Sequence, residues 1–272
     1  MFSSFMINAW IVATLVAVVA GIVGFFVVLR GSSFAAHALP LGTFPGAAAA
    51  NLLGINPLFG LILFAGLGVV GTSQLGRRGR HEVATALTLV MLLGLGTLFL
   101  SLSREYSQSV YALLFGEVLG VSTSDIAPIA VMSVVAIGAT FLLFRPLLLS
   151  AISPELGEAR GVSARHMELS FLAILAFATS MALPVVGALL VFSLMVGPAA
   201  AARAMTDQPV RAMLLSVGIS LLTVWAAISL SYLSDWPVGF FVGSIGALSY
   251  AIGRVWGRSG GVRLPCPVPE SA

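Results

Sequence analysis

Long apolar runs without charge constrain this chain more than any other feature of its sequence. A transmembrane helix needs about 20 consecutive apolar residues to cross the hydrocarbon core of a bilayer. The chain has 272 residues, of which 59% are hydrophobic and only 8% are charged, whereas a soluble domain carries about 25% charged residues. We therefore predict an all-α, multi-pass membrane protein with about nine spans. The predicted spans lie near residues 8–29, 33–54, 57–75, 83–101, 124–144, 169–183, 184–203, 211–231 and 236–254.

The apolar tract 169–203 decides the number of spans. It is too long for one ordinary span and slightly short for two. Pro184 and Gly187 lie near its middle, and a proline disfavours a continuous helix. We predict two short helices that meet at Pro184.

The distribution of arginine predicts the orientation in the membrane. All 13 basic residues are arginine. With the N-terminus outside and the C-terminus inside, 12 of the 13 lie in inside connections and only Arg104 lies outside, as the positive-inside rule requires. A single span over 169–203 would instead place Arg203, Arg211 and the C-terminal arginines outside. Because the arginines are scattered between apolar runs and not clustered with aromatic residues, nucleic-acid binding is not indicated.

Missing motifs exclude several classes of function. The single cysteine, Cys266, has no partner in this chain for a disulfide or a CxxC site. No HExxH, GxSxG or GxxxxGK(S/T) motif is present, so we expect no enzymatic site, and ATP-driven transport would need its ATPase in another chain. The first 29 residues lack the basic start and cleavage site of a signal peptide. We expect one transmembrane domain over residues 1–255 and a flexible cytoplasmic tail over 256–272.

His37 is the main candidate for chemistry within the membrane. It lies in the stretch SFAAHALPLGTFPG of the second predicted helix, and ionisable residues inside spans are costly enough to indicate function. Pro40, Gly42, Pro45 and Gly46 follow it. Closely spaced helix breakers free backbone carbonyls, which are tolerated in the membrane where they line a cavity. We therefore predict that this helix forms the wall of a transport pathway, where His37 is either a ligand or a hydrogen-bonded packing residue.

Two further segments differ from ordinary spans. Residues 108–120 are apolar but too short to cross, which indicates a re-entrant or interfacial helix on the outside. Glu117 in their middle either collects cations at the outer mouth or is simply solvated. Residues 145–168 form the longest inside connection. Within it, Pro154 followed by two glutamates predicts the start of a short cytoplasmic helix.

Six stretches of the sequence carry a family resemblance. They are FMINAWIVATLVAVVAGIVGFFVVLRGSSF, LLGINPLFG, RRGRHEVATAL, LLFGEVLGVS, RPLLLSAISPELGEARGV and PVVGALLVFSLMVGPAAAARA. In this order they resemble the membrane permeases of bacterial metal-importing ABC transporters, the zinc, manganese and iron uptake family. The resemblance extends from about residue 6 to about residue 255. It implies an ABC-importer permease fold of the metal and vitamin B12 type, in the bacterial cytoplasmic membrane.

The resemblance also implies partners. A permease of this family pairs with a second copy or a close relative, sits on two cytoplasmic ATPase subunits that bind the ATP, and receives cargo from an extracytoplasmic binding protein. No permanently bound cofactor is implied, and the cargo is zinc or manganese. The stretch SPELGEARGV resembles the family's DPELARALGV, with Ser153 in place of the aspartate, and implies the contact with the ATPase. The residues of this contact are Pro154, Glu155, Leu156, Glu158, Arg160 and Gly161.

The second helix departs from the family pattern. Family members often read FLGDALSHAALPG where this chain reads FAAHALPLGTFPG. His37 takes the position of the aspartate and Leu41 that of the histidine, two side chains on one helical face that in the family look like transient ligands for a divalent cation. We expect His37 to be a transient metal ligand. The expected pathway residues are His37, Leu41, Pro45, Gly46 and Glu117.

These observations predict the permease subunit of an ATP-driven importer for a divalent metal. Zinc is favoured over manganese because nitrogen donors suit zinc and oxygen donors suit manganese. Since Leu41 is no donor, a permease of the same fold for a metal chelate or a non-metal solute is the alternative. An ATPase-independent carrier or a structural membrane scaffold is the third hypothesis. A carrier working alone needs charged groups near mid-membrane, where only His37 is available.

Overall fold

The computed structural model describes residues 4–76, 81–102, 116 and 121–259, and the described chain folds into eleven α-helices without a strand. Because the hydrogen bonds of a helix are internal, helices can satisfy their backbone groups in lipid. The prediction of an all-α membrane fold is confirmed. The helices are α1 Ser4–Leu29, α2 Ser33–Leu53, α3 Pro57–Leu75, α4 His81–Leu102, α5 Thr123–Leu142, α6 Phe144–Ile152, α7 Pro154–Ala159, α8 Ala164–Val186, α9 Ala188–Met205, α10 Pro209–Ser234 and α11 Val238–Ser259.

Each predicted span coincides with one helix of the described chain. Seven helices are long and apolar enough to cross a membrane, namely α1, α3, α4, α5, α8, α10 and α11. The other two predicted spans are α2, which carries two prolines and a histidine, and α9, whose apolar part Leu190–Met205 is shorter. The protein is therefore a multi-pass membrane protein, while the count of nine spans and the N-out, C-in orientation stay predictions.

The break inside the tract 169–203 lies at Gly187 and not at Pro184 as predicted. Pro184 is an interior residue of α8, which continues to Val186. A proline removes one helical hydrogen bond, and in membrane helices neighbouring groups compensate for this loss. Gly187 instead has φ 83° and ψ 156°, a backbone conformation that is essentially restricted to glycine. The helix is therefore interrupted at Gly187, which separates α8 from α9.

Helix α1 forms the centre of the bundle. It packs against α5, α8, α9 and α10, and most of its side chains are buried, including Phe25 and Phe26. Helix α2 packs against α3 and α4 and also contacts α8 and α9. Through α8 and α9, the helix that carries His37 is thus joined to the core around α1.

Small residues let the helices approach closely where they cross. Gly46 of α2 and Gly60 of α3 bring their backbones into contact, so a Cβ on either glycine would overlap the carbonyl oxygen of the other. Gly24 of α1 meets the carbonyl oxygen of Met195 in α9 in the same way. Lipid is as apolar as leucine, so association of membrane helices depends on such close packing. The α2–α3 crossing fixes the position of α2.

We expect Gly60→Ala to destabilise the protein by about 1–3 kcal/mol, because the added methyl group must push α2 and α3 apart. Thermal unfolding in detergent measures this loss. Gly66→Ala is the matched control in the same helix, because its Cβ would meet nothing within 4 Å and alanine is the better helix former. Equal melting temperatures for the two variants would show that the crossing tolerates a side chain.

Candidate functional site

His37 lies in the second turn of α2 and is partly buried. Its ring meets the ring of Phe192 in α9 edge-on, with 4.9 Å between centroids and 69° between planes. Its Nδ1 atom is buried and has no hydrogen-bond partner within the described part of the chain. A buried polar atom without a partner costs about 1–3 kcal/mol. Two roles were predicted for His37. Because Nδ1 makes no hydrogen bond, the structure does not support hydrogen-bonded packing through this atom. Nδ1 is instead available as a ligand atom.

Helix α2 is continuous through both of its prolines, whereas the sequence suggested a broken helix. It runs from Ser33 to Leu53 with Pro40 and Pro45 inside it. The buried Thr43 hydroxyl donates to the Pro40 carbonyl oxygen at 2.8 Å. Since proline has no N–H, the carbonyls four residues before each proline, those of Ala36 and Leu41, lose their usual helical donors. The helix thus stays continuous but loses one hydrogen bond on each side of His37.

Leu41 lies four residues after His37 and therefore on the same face of α2. It is partly buried and packs on a cluster that includes Leu61 of α3, Leu183 of α8 and Ala188 of α9. This face is polar at His37 and apolar one turn later.

The other predicted pathway residues of α2 lie at helix crossings. Pro45 is buried and sits close to Gly96 of α4, where a Cβ would be 3.0 Å from its ring. Gly46 is buried against Gly60 of α3. Pro45 and Gly46 thus hold α2 against α3 and α4 and keep the face with His37 and Leu41 directed at α8 and α9.

Glu117, the predicted outer cation collector, lies outside the described residues, as does most of 108–120. Gly116 is described and has φ +75°. A Cβ on Gly116 would overlap the backbone of Val186. The chain at residue 116 therefore lies directly against the break between α8 and α9.

The donor set around His37 is small. Among residues 4–76, 81–102, 116 and 121–259, no three His, Cys, Asp or Glu side chains lie close enough to hold a metal ion together. His37 offers one imidazole nitrogen.

The segment 145–168 contains the short helix that the sequence predicts. Helix α7 begins with Pro154 at its first position and ends in a turn around Gly161, which has φ +76°. The Val162 N–H donates to the Gly157 carbonyl and the Gly161 N–H to the Glu158 carbonyl, both at 2.9 Å, the hydrogen bonds of a Schellman cap. Gly161 is needed there because only glycine adopts this conformation cheaply.

The outward side of α7 combines charge with an exposed apolar residue. Leu156 is 58% exposed and has exposed charged residues close to it in the sequence. The exposed charged residues of the segment are Glu155, Glu158 and Arg160. An apolar centre with a charged rim is typical of a protein contact surface.

Comparison with protein families decides the identity of this architecture. Residues 2–254, almost the whole chain, match the sequence profile of ABC-3, the ABC 3 transport family. The chain belongs to this family. Its members are transport components, and the resemblance inferred from the six sequence stretches is confirmed.

Relatives within the ABC 3 transport family are named for manganese and for zinc. The manganese transport system membrane protein MntC of Listeria monocytogenes is 29% identical over 228 residues, which cover 83% of this chain and 79% of MntC. The manganese import system permease protein ScaB of Streptococcus pneumoniae is 29% identical over 255 residues, covering 91% and 89%. The high-affinity zinc uptake system membrane protein ZnuB of Buchnera aphidicola is 26% identical over 231 residues, covering 84% and 88%.

Two solved structures share the fold of this family member. PsaBC from Streptococcus pneumoniae in complex with Fab has a TM-score of 0.83 at 23% identity and covers 92% of this chain and 91% of its own. A metal-chelate type ABC transporter in an inward-facing conformation has a TM-score of 0.66 at 18% identity and covers 89% and 84%. The permease fold of the metal type is confirmed by these similarities.

The sequence analysis of this ABC 3 family member missed a polar junction near the start of α2. Arg30, one of the 12 arginines assigned to the inside, donates from its guanidinium to the Ser150 hydroxyl at 2.8 Å. It borders a cavity of about 450 Å³. The position of an arginine directly between two apolar helices could have indicated this junction. Its hydrogen-bond partner could not be predicted, because Ser150 is 120 residues away in the sequence. The residues that line the cavity include Arg30, Thr72, Glu82, Thr85, Ser150 and Glu168.

We expect His37→Leu to leave the thermal stability unchanged or to raise it by about 1 kcal/mol, because it removes a buried atom without a partner and keeps an apolar contact to Phe192. Thermal unfolding measures this. Ser220→Ala is the matched control, since the Ser220 hydroxyl is also buried without a partner in the described chain and lies in α10. A clear loss of stability in His37→Leu alone would instead assign His37 to packing.

Proposed function

We propose that this chain is the transmembrane permease subunit of an ATP-driven importer for a divalent metal ion, with zinc preferred over manganese. Membership of the ABC 3 transport family supports import by an ABC system, and relatives named for manganese and zinc support a metal as cargo. The observation that carries the proposal is the unpartnered Nδ1 of His37 on α2.

His37 acts as a transient ligand in this proposal. A neutral imidazole nitrogen binds zinc well, whereas manganese prefers carboxylate, carbonyl and water oxygens. The carbonyl oxygens of Ala36 and Leu41 flank His37 along α2 and lack their helical donors, so oxygen ligands and water complete the shell of a passing ion. Such a shell is weak enough for the ion to move on.

Helix α7 is the contact with the ATPase in this proposal. The chain contains no phosphate-binding GxxxxGK(S/T) motif, so ATP binds to a partner subunit. Two permease copies pair, and the α7 helices of the pair contact two cytoplasmic ATPase subunits. An extracytoplasmic binding protein delivers the metal from the other side of the membrane. Closure of the ATPases would rock the helices of both copies and alternate access to α2 in the cytoplasmic membrane of the bacterium.

Leu41 favours a second candidate function. A bare cation needs a ligand atom at this position, whereas a metal chelate or a non-metal solute needs apolar contact. Leu41 packs in an apolar cluster, which suits a permease of the same fold for such a cargo. A carrier that works without an ATPase is the third candidate, and it would be purified in an active form alone.

Uptake by proteoliposomes separates these functions. The chain is reconstituted with its ATPase and binding protein, and uptake of radioactive zinc and manganese is measured with ATP inside. We expect zinc uptake that depends on ATP, with manganese uptake weaker. We expect His37→Leu to reduce zinc uptake at least about tenfold, a loss of roughly 1.4 kcal/mol, while Ser220→Ala keeps it. Unchanged zinc and manganese levels in liposomes with and without the permease would exclude metal import.

We expect Glu155→Arg to abolish the stimulation of the ATPase by this subunit, because it reverses a charge in the exposed first turn of α7. Surface substitutions usually change stability by less than about 0.5 kcal/mol, so folding should be intact. The steady-state ATPase rate of the complex measures this effect. Asp207→Arg is the matched variant in the exposed α9–α10 connection. Normal stimulation in Glu155→Arg with loss in Asp207→Arg would place the contact at residues 203–211.

A further inference from the structure

One arginine ties the turn between α1 and α2 to the helix that precedes α7. The Arg30 guanidinium donates through Nη1 to Ser150 Oγ at 2.8 Å. The Ser150 hydroxyl in turn donates to the Leu147 carbonyl oxygen at 3.1 Å, so it is held within α6 while it accepts from Arg30. Helix α6 ends at Ile152, and only Ser153 separates it from α7. A displacement of α7 therefore has only Ser153 and α6 between it and Arg30.

The same arginine has a second contact on α8. Its guanidinium carbon lies 5.2 Å from the ring centroid of Phe171, within the range of a cation–π interaction, and Phe171 is buried. Burial lowers the pKa of Arg30, and the negative charge of Glu168 raises it. Since arginine stays protonated in either case, the cation is retained at this junction. Phe171 gives the side chain a fixed support on α8.

The turn that carries Arg30 is closed by backbone hydrogen bonds. Gly31 has φ +67°, and the Ser32 N–H donates to the Val27 carbonyl at 2.9 Å while the Gly31 N–H donates to the Val28 carbonyl at 3.3 Å. These are the hydrogen bonds of a Schellman cap on α1. Helix α2 begins directly afterwards, at Ser33. Movement of Arg30 must therefore shift the first turn of α2, and His37 follows in the next turn.

The cavity beside Arg30 leaves room for such a shift. Its volume is about 450 Å³, and its walls come from the α1–α2 turn and from α2, α3, α4, α6 and α8. A close-packed junction would resist displacement. Here the guanidinium contacts Ser150 and Phe171, feels the charge of Glu168, and borders the cavity.

We propose that Arg30 is a positioning residue that transmits movement of α6 and α7 to α2 and so to His37. This rests on the proposed function, in which α7 contacts the ATPase and α2 forms the pathway. The hydrogen bond to Ser150 is the moving link, and the Phe171 ring is the support. When the link is cut, ATP hydrolysis continues, but α2 no longer follows it.

The number of metal ions transported per ATP hydrolysed tests this proposal, because loss of folded protein lowers both rates and leaves their ratio unchanged. The measurement uses the reconstituted complex of the full chain with ATPase and binding protein, with zinc as the probe. We expect Arg30→Gln to lower the ratio about tenfold, within the range of known coupling energies. Arg254→Gln, an exposed arginine in α11, is the control with the same charge change and should keep the ratio of the unmodified protein.

Ser150→Ala removes only the moving link, since it leaves the arginine charge and the Phe171 contact intact. We expect a similar fall in the ratio, and no further fall in the double variant Arg30→Gln/Ser150→Ala, because the two residues form one link. Ser133→Ala, a buried serine of α5 that donates to the Ile129 carbonyl, controls for the loss of a buried hydroxyl.

An unchanged ratio in Ser150→Ala would overturn the role of Arg30, also if Arg30→Gln fails to fold. If the unmodified complex hydrolyses ATP but moves no metal, the proposed function fails instead. The two failures are therefore distinguishable.

Discussion

The structure depends on one constraint, the cost of an unsatisfied backbone group in a bilayer that contains no water. This cost makes the described chain all helical, and it makes the exceptions informative. Two prolines lie inside α2, the helix with an unpartnered histidine nitrogen. Other prolines inside helices of the described chain are Pro128 in α5, Pro184 in α8 and Pro198 in α9. Each of these prolines removes one helical hydrogen bond, and within the described chain only α2 combines two of them with an unpartnered histidine nitrogen.

Close packing of small residues holds α2 in place although its two prolines remove helical hydrogen bonds. The Gly46–Gly60 crossing and the contact of Pro45 near Gly96 hold α2 from the side away from His37. A helix that has lost two hydrogen bonds would otherwise bend, since proline kinks helices that lack support. The packing on α3 and α4 therefore holds the face of α2 that carries His37 against α8 and α9.

Much of the fold could be predicted from the sequence because the relevant signals are local. Apolar length placed every span on a helix, and Pro154 with its following glutamates predicted α7. The break was predicted at Pro184 because proline is the stronger local signal, but the helix continues through it and ends at Val186, before Gly187. Helix α2 is continuous because it packs against α3 and α4. The sequence of α2 alone contains no information on this packing.

The candidate site was predictable only in part for the same reason. Its residue type and helix follow from the departure of His37 and Leu41 from the family pattern. The contact of His37 with Phe192 and the link from Arg30 to Ser150 join positions more than 100 residues apart, and one sequence contains no information on such pairs. Long-range polar contacts of this kind required the structure.

Accessibility of residue 37 to water tests the central claim most directly. The chain has one cysteine, Cys266, so Cys266→Ser gives a background in which His37→Cys carries the single thiol. In the assembled transporter we expect a water-soluble thiol reagent to modify residue 37, with a rate that changes at least several-fold between the ATP-bound and nucleotide-free states. Ala227→Cys, fully buried in α10, should stay unreactive. A residue 37 as unreactive as residue 227 in both states would contradict a pathway along α2.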